Sequence, residues 1–259
     1  LVGALVTFGG ILAIATGFDL ISKEKETGSL KMLLSHPIYR DEVINGKALA
    51  GIAVLGIALV IAFVVTLAVL LIFSIVPTAG EFVAIGVIVI ASFLFLLAFF
   101  TLALAISVIV KESGHAVIYC LALFFTLTYL LPMFGTAIGD TVAGDPPQQP
   151  ELPTVGTDAN GAIYISGDRA VLEAYEEECS RFDAEMEAYQ SKKRFVTDMV
   201  DFFSPVMSFY AVTSTVIYPS DMPPEDAAGR IWGGIAALVV FVSVFFALAY
   251  GKFMRMDLR

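Results

Sequence analysis

Apolar residues in this chain come in long blocks. A helix of about 20 residues spans the hydrocarbon of a bilayer, and five blocks reach that length: roughly 1–21, 48–76, 82–110, 116–139 and 231–251. The connection between the first two, 22–47, is charged and helix-prone. Lys23, Glu24, Lys25 and Glu26 carry the first span past the headgroups. Gly28 and Pro37 then bracket one short amphipathic piece, "SLKMLLSH", with Leu30, Leu33 and Leu34 on one side and Lys31 and Ser35 away from it. Ser29 can cap its start, and Pro37 ends it, because proline lacks the N–H and disfavours helix in the residue before it. "YRDEVINGK" restarts a helix that feeds the next span. The pattern predicts a short, roughly membrane-parallel helix held between two transmembrane rods.

The stretch between the fourth and last spans has a different texture. "DTVAGDPPQQPELPTVGTDANG", from Asp140, is rich in Pro, Gly and polar residues and reads as an irregular loop. A helix-prone run follows from about 168 to 203, which at 1.5 Å per residue would be on the order of 50 Å long. Leu172, Tyr175, Cys179, Phe182, Met186 and Tyr189 recur three and four apart. Val196, Val200 and Phe203 continue that register after Lys193 breaks it. This is a narrow heptad seam on an otherwise charged helix. Two readings of it stay open: packing on another outer segment of the same chain, or contact with a dimer mate or an extracytoplasmic partner. "SPVMSFYAVTSTVIYP", from Ser204, is apolar but short for a span and reads as a re-entrant or interfacial helix.

Composition fixes the class. The 259 residues are 58% hydrophobic and 15% charged, with a mean hydropathy of +0.85, whereas a soluble domain sits near half apolar and a quarter charged. The fold class is therefore all-α, a polytopic helical membrane protein with five transmembrane helices in this sequence. Leu1 already lies inside an apolar run, with no basic leader or small-residue cleavage site before it, which predicts a truncated start and at least one further span upstream. The organisation is 1–139, four spans with the charged segment 22–47; 140–204, the outer loop and long helix; 205–229, the re-entrant or interfacial helix and a loop; and 230–259, the last span and a tail.

Charge sets the orientation. Lys and Arg fall in 22–47 (Lys23, Lys25, Lys31, Arg40, Lys47), in "KESGH" (Lys111) and after the last span (Lys252, Arg255, Arg259), and "PTAGE" at 77–81 has none. Placing the three basic segments inside gives one self-consistent threading with a cytoplasmic C-terminus in the plasma membrane. Region 140–229 is then outside, and it holds 17 acidic residues against 5 basic ones. With no basic surface away from the membrane flanks, nucleic acid is not an expected partner.

Several chemistries are missing from the sequence. "INGKALAG" has a Gly-Lys but lacks both the upstream glycine and the following hydroxyl residue of a phosphate-binding loop. His36 and His115 stand apart with no H-E-x-x-H, and Cys120 and Cys179 have no ligand spacing around them. The span interiors carry hydroxyls (Thr66, Ser92, Thr101, Ser107, Thr126, Thr128, Tyr129) but no central Asp, Glu, Lys or Arg. Ion-coupled carriers generally use ionisable groups at that depth, so an energy source outside the membrane is favoured. Small residues such as Gly10, Ala13, Gly17, Gly51 and Gly56 permit close helix contacts.

On these grounds alone, 22–47 is either a handle for a soluble partner or an interfacial elbow resting on anionic headgroups. The run "FDLISKEKETGSLKMLLSHPIYRDEVINGKALAG" resembles the cytoplasmic signature of ABC type-2 permeases. In that family an acidic residue ends the second span, followed by Glu-x-Glu, Gly-Ser/Thr-Leu, Leu-Leu-Ser-x-Pro, an Arg and a Gly-Lys. Glu24, Glu26, Gly28, Ser29, Leu30, Leu33, Leu34, Ser35, Pro37, Arg40, Gly46 and Lys47 occupy those places here. Lys23 and Lys25 stand where Arg is at least as usual. The outer insertion before the final span most resembles the copper-enzyme-maturation branch.

The resemblance implies six spans in the full chain, the first of them upstream of Leu1, and a permease subunit of an ATP-driven exporter, with no catalytic, metal or cofactor site of its own. ATP with Mg would be held by a separate ABC ATPase that docks on the coupling helix, through the residues from Glu24 to Arg40. A second permease subunit, identical or related, would complete the path through the lipid membrane. Two alternatives remain: the same motor driving the outer helix on an extracytoplasmic protein without transport, and a non-catalytic membrane scaffold.

Overall fold

The computed structural model describes residues 2–33, 39–150, 155–157, 163–165, 169–218 and 224–256. They divide into two compact units, one of 1–130 with 202–259 and one of 131–201. Among the described residues, five helices are long and apolar enough to cross a membrane: Val2–Glu26, Arg40–Ile72, Ala79–Ile109, Ser113–Ala143 and Ala227–Met254. These correspond to the five blocks read from the sequence, each extended at its polar end.

In the first unit the opening span is built from α1 (Val2–Ala4), a π-turn (Leu5–Gly9) and α2 (Gly10–Gly17). Two short helices follow, α3 (Ser22–Glu26) and α4 (Ser29–Leu33), and then the long α5 (Arg40–Ile72) and α6 (Ala79–Ile109). Thr78 and Glu81 close a reciprocal capping box at the start of α6, the Thr78 N–H lying 2.7 Å from the Glu81 carboxylate. The unit continues with α7 (Ser113–Phe125) and a second π-turn (Thr126–Leu130), and it is completed by α10 (Pro205–Ile217) and α11 (Pro224–Met254).

The central rod is α6. It is apolar on every side, and a helix of that kind must be enclosed or face lipid all round. Here every residue from Phe95 to Ala105 is buried, with α2, α5, α10 and α11 packed about it. Phe95, Phe99, Phe124 and Phe209 form a chain of ring contacts 5.0–5.1 Å apart that joins α6 to α7 and α10. By contrast, α5 buries only Ile44, Ala48, Gly51 and Leu55, a stripe of alternating four- and three-residue steps on its first half. Ile52 and Leu59 are half-buried against the core, and most of its other apolar surface is exposed, as expected of a helix that meets lipid.

α10 has 13 residues and would reach about 20 Å, less than the hydrocarbon thickness. Its Val206, Phe209 and Val212 are buried in the main core. It crosses α11 closely at Gly234, where a Cβ would meet the Ser208 carbonyl at 2.8 Å. Ser204 caps α10 and also donates its hydroxyl to the carbonyl of Leu127 in the second π-turn, 2.9 Å away.

The second unit contains α8 (Leu131–Ala143), the strands β1 (Val155–Thr157) and β2 (Ile163–Ile165), and α9 (Arg169–Asp201). Where the sequence reads as an irregular loop, β1 and β2 pair antiparallel, Val155 opposite Ile165. Both strands are only three residues long, too short for periodicity to reveal, but β-branched residues flanking Asn160–Gly161 are a hairpin signal.

The heptad seam is present on α9. Tyr175, Cys179, Phe182, Met186, Tyr189, Lys193, Val196 and Val200 are all half-buried, while the residues between them are largely exposed. The side chain of Leu172 lies outside the described residues. Lys193, which interrupts the apolar register, forms an ion pair with Asp140 of α8, and this hydrogen bond raises the lysine's pKa. Tyr189 donates to the same carboxylate at 3.4 Å. Val200 sits 3.2 Å from where a Gly135 Cβ would be, so α8 and α9 run antiparallel with small residues at the contact. The C-terminal half of the seam is therefore covered by this same chain.

One close approach yields a test. A Cβ on Gly51 would lie 2.1 Å from the ring of Phe100, which is itself fully buried. Gly51→Ala is expected to cost about 1–3 kcal/mol through overpacking, read as a lower thermal midpoint in detergent. Gly56→Ala, whose Cβ would meet the Phe93 ring at 3.6 Å, is expected to be neutral or to gain up to about 1 kcal/mol of helix propensity.

Candidate functional site

The charged segment gathers at one end of the first unit, where the chain must leave one span and start another. α2 stops at Gly17 and α3 starts at Ser22, so the N–H groups of Ile21 and Ser22 fall at a break in the helical ladder. Both are received by the hydroxyl of Ser107 on α6, at 3.0 Å each. Ser107 donates in turn to the Ser22 hydroxyl at 3.3 Å, and Ser22 donates to the Phe18 carbonyl at 2.9 Å. Both serines are fully buried, where an unpaired hydroxyl or N–H is costly.

The alternating Lys and Glu of "KEKE" each have a different role. Glu24 pairs with Lys47 of α5 at 2.7 Å, and Lys47 also bonds the Leu20 carbonyl at 2.8 Å. Lys25 reaches the carbonyls of Ser107, Val108 and Val110, at the negative end of α6. Glu26 accepts the N–H of Ser113, the first residue of α7, at 3.1 Å. Lys23 is exposed. Further on, Arg40 donates to the carbonyls of Met256 at 2.8 Å and Met254 at 3.4 Å, closing the end of α11.

Gly28 makes the corner between α3 and α4. Its φ of +72° lies in the left-handed region, which favours glycine. Ser29 opens α4 and shares a 2.9 Å hydrogen bond with Thr27. Leu30 is buried with Ile21, Ile44, Leu104, Val108 and Phe253, so this face of α4 turns into the chain itself. Lys23, Glu26, Thr27, Gly28, Ser29, Met32 and Tyr39 form the exposed side, Met32 at 71% and Tyr39 at 73%. Leu34, Ser35 and Pro37 lie outside the described residues, as does the side chain of Leu33.

Of the residues singled out in the sequence, then, Glu24, Leu30 and Arg40 are turned into the fold, and Gly28 and Ser29 are exposed. Glu26 faces solvent while capping α7. Lys25, Lys47, Ser22 and Ser107 complete the arrangement. Ser107 differs from Thr66, Thr101 and Thr126, whose hydroxyls bond carbonyls of their own helices. Only a partner distant in sequence distinguishes it, and that was not visible beforehand. The three basic segments of the sequence do meet: Lys25 lies against the α6–α7 turn and Arg40 against the chain after α11.

Elsewhere in the unit, a 340 Å³ cavity is lined by Leu5, Leu59, Phe63, Ile85 and Phe209, with Thr66 and Ser92 its polar members. Among the described residues, no three His, Cys, Asp or Glu side chains are grouped to hold a metal ion. The site offers positioned charges and a rigid corner rather than reactive groups. Ser107→Ala would orphan two buried N–H groups, each worth about 1–3 kcal/mol, and is expected to lower the unfolding midpoint in detergent by more than Thr101→Ala, which removes only a bond within α6.

The profile of a family described as "ABC-2 family transporter protein" matches residues 4–258. No curated protein matches the chain. A match over nearly the whole length, on a bundle whose spans meet at this charged corner, establishes that the chain belongs to the ABC-2 transporter family and is a multi-pass membrane permease component.

Proposed function

We propose that this permease is driven from the cytoplasm by a separate ABC ATPase, which binds ATP with Mg and grips the exposed side of α3 and α4. The observation that supports this most is the convergence at one end: Leu20–Glu26 is bonded to Lys47 of α5, to the end of α6 and to the start of α7, while Arg40 at the start of α5 is bonded to the end of α11. A partner displacing that segment moves the ends of most spans together. Lys23, Lys25, Arg40, Lys47 and Lys252 gather at this end, and the positive-inside bias supports a cytoplasmic side for it and for the C-terminus. Glu24, Leu30 and Arg40 hold the segment in place, and Lys23, Thr27, Ser29, Met32 and Tyr39 present its docking surface. A second permease subunit completes the export path, and the long α9 belongs to the outer face.

The half-buried seam of Tyr175, Cys179, Phe182 and Met186 favours a second reading, in which the same motor works on an extracytoplasmic protein through α9. Flux of solute across sealed vesicles separates the two.

The test is to tag the full-length protein, extract it gently and identify co-purifying proteins by mass spectrometry. A P-loop ATPase is expected with the native chain and is expected to be lost from a Lys23→Glu, Met32→Asp variant, whose changes fall on exposed side chains. Absence of any ATPase, or equal retention by the variant, overturns the docking surface.

A further inference from the structure

Two stretches that are about 85 residues apart in the chain, 21–26 and 107–113, are fastened to each other at four successive points. The Ile21 and Ser22 N–H groups enter the Ser107 hydroxyl. The Lys25 ammonium lies on the last carbonyls of α6, with Val110 at 3.1 Å. The Glu26 carboxylate takes the first N–H of α7. α6 ends and α7 begins within four residues, so a negative and a positive helix end lie side by side at this turn. Adjacent Lys25 and Glu26 meet those two ends with the complementary charges.

α3 itself is only five residues long, far below the length at which a helix holds its own shape in water. Its geometry is therefore imposed by these bonds. The outward side, with Lys23 and Thr27, is left exposed.

We propose that Lys25, Glu26 and Ser107 are positioning residues of the coupling step. They join 21–26 and 107–113 into one rigid body, so that displacement of α3 and α4 is delivered to α6 and α7 in the same stroke. Without them the pull would still reach α2 and α5 through the backbone and the Glu24–Lys47 pair, and α6 through Leu30 packed on Leu104 and Val108, but no bond would tie it to the start of α7. The inference rests on the reading that an ATPase engages α3 and α4.

The experiment uses the full complex with its co-purified ATPase, reconstituted after replacing Cys120 and Cys179. Single cysteines are placed at two exposed positions, Tyr39→Cys beside the docking surface and His115→Cys on α7. The rate of modification by a water-soluble maleimide is measured with and without ATP. In the otherwise native chain both positions are expected to change rate with ATP. Lys25→Met is expected to abolish the change at 115 while that at 39 persists, and Lys25→Arg to restore it. Glu26→Ala alters an exposed side chain, so it tests the same point with little risk to folding. It is expected to weaken the response at 115, with rescue by Glu26→Gln, whose amide oxygen still accepts the Ser113 N–H.

Equal responses at 115 in Lys25→Met and Glu26→Ala overturn the inference, as does a native chain in which 39 responds and 115 does not. If neither position responds in the native chain, the coupling reading itself fails and this inference falls with it.

Discussion

A bilayer offers no water to a peptide group that has lost its helical partner, so a chain that leaves a span must hand its loose N–H and C=O groups to something else in the protein. That constraint organises one whole end of this bundle. The break after α2 would orphan two N–H groups, and a single buried hydroxyl on α6 receives both. The end of α6 would expose carbonyls, and Lys25 covers them; the end of α11 does the same, and Arg40 covers those. Charges that look like a surface decoration in the sequence are for the most part the terminators of helices. The consequence is stiffness: a segment that satisfies the ends of its neighbours cannot move without them.

The distribution of burial fits that picture. α6 is enclosed over its second half and serves as the common wall against which α2, α10 and α11 pack, with Phe95 and Phe99 tying in α7 and α10. α5 buries side chains against this wall over its first half, at Ile44, Ala48, Gly51 and Leu55, the half nearest the charged corner, with Phe100 set tightly against Gly51. Further along, Leu59 and Phe63 line the cavity together with Ile85 of α6.

Much of this was readable in advance because lipid imposes a coarse code. Long apolar blocks give spans, and the five predicted blocks are five helices. The short corner was legible in part: Gly28 marks its turn by a local rule, but the "KEKE" run reads as a continuation of the first span, and the break at 18–21 that makes α3 a separate helix depends on Ser107 far along the chain. What the residues could not disclose was partnership. Nothing near Ser107 distinguishes it from Thr101, and nothing near Lys25 says that it belongs to Val110 rather than to a headgroup or another protein, because such pairings are set by tertiary contacts between segments more than 80 residues apart. The same blindness applied to α9. Its seam was clear as a period, but Lys193 read as a defect until Asp140 appeared opposite it. The small hairpin was overlooked because three-residue strands carry almost no periodic signal.

Ser204 and Leu127, joined by one 2.9 Å hydrogen bond, have a meaning beyond the local cap. The chain leaves the first unit just after Leu127 and returns to it just before Ser204, so the entire 131–201 unit departs and re-enters through a single doorway. Segments with adjacent ends are the ones that proteins accept as insertions with least disturbance to the host. α8 completes the Ser113–Ala143 span, so the part open to insertion is the chain beyond Ala143, which can be lengthened, shortened or exchanged in the course of evolution while the joined ends at Leu127 and Ser204 keep their packing. A permease can in this way vary that stretch without re-engineering its charged corner.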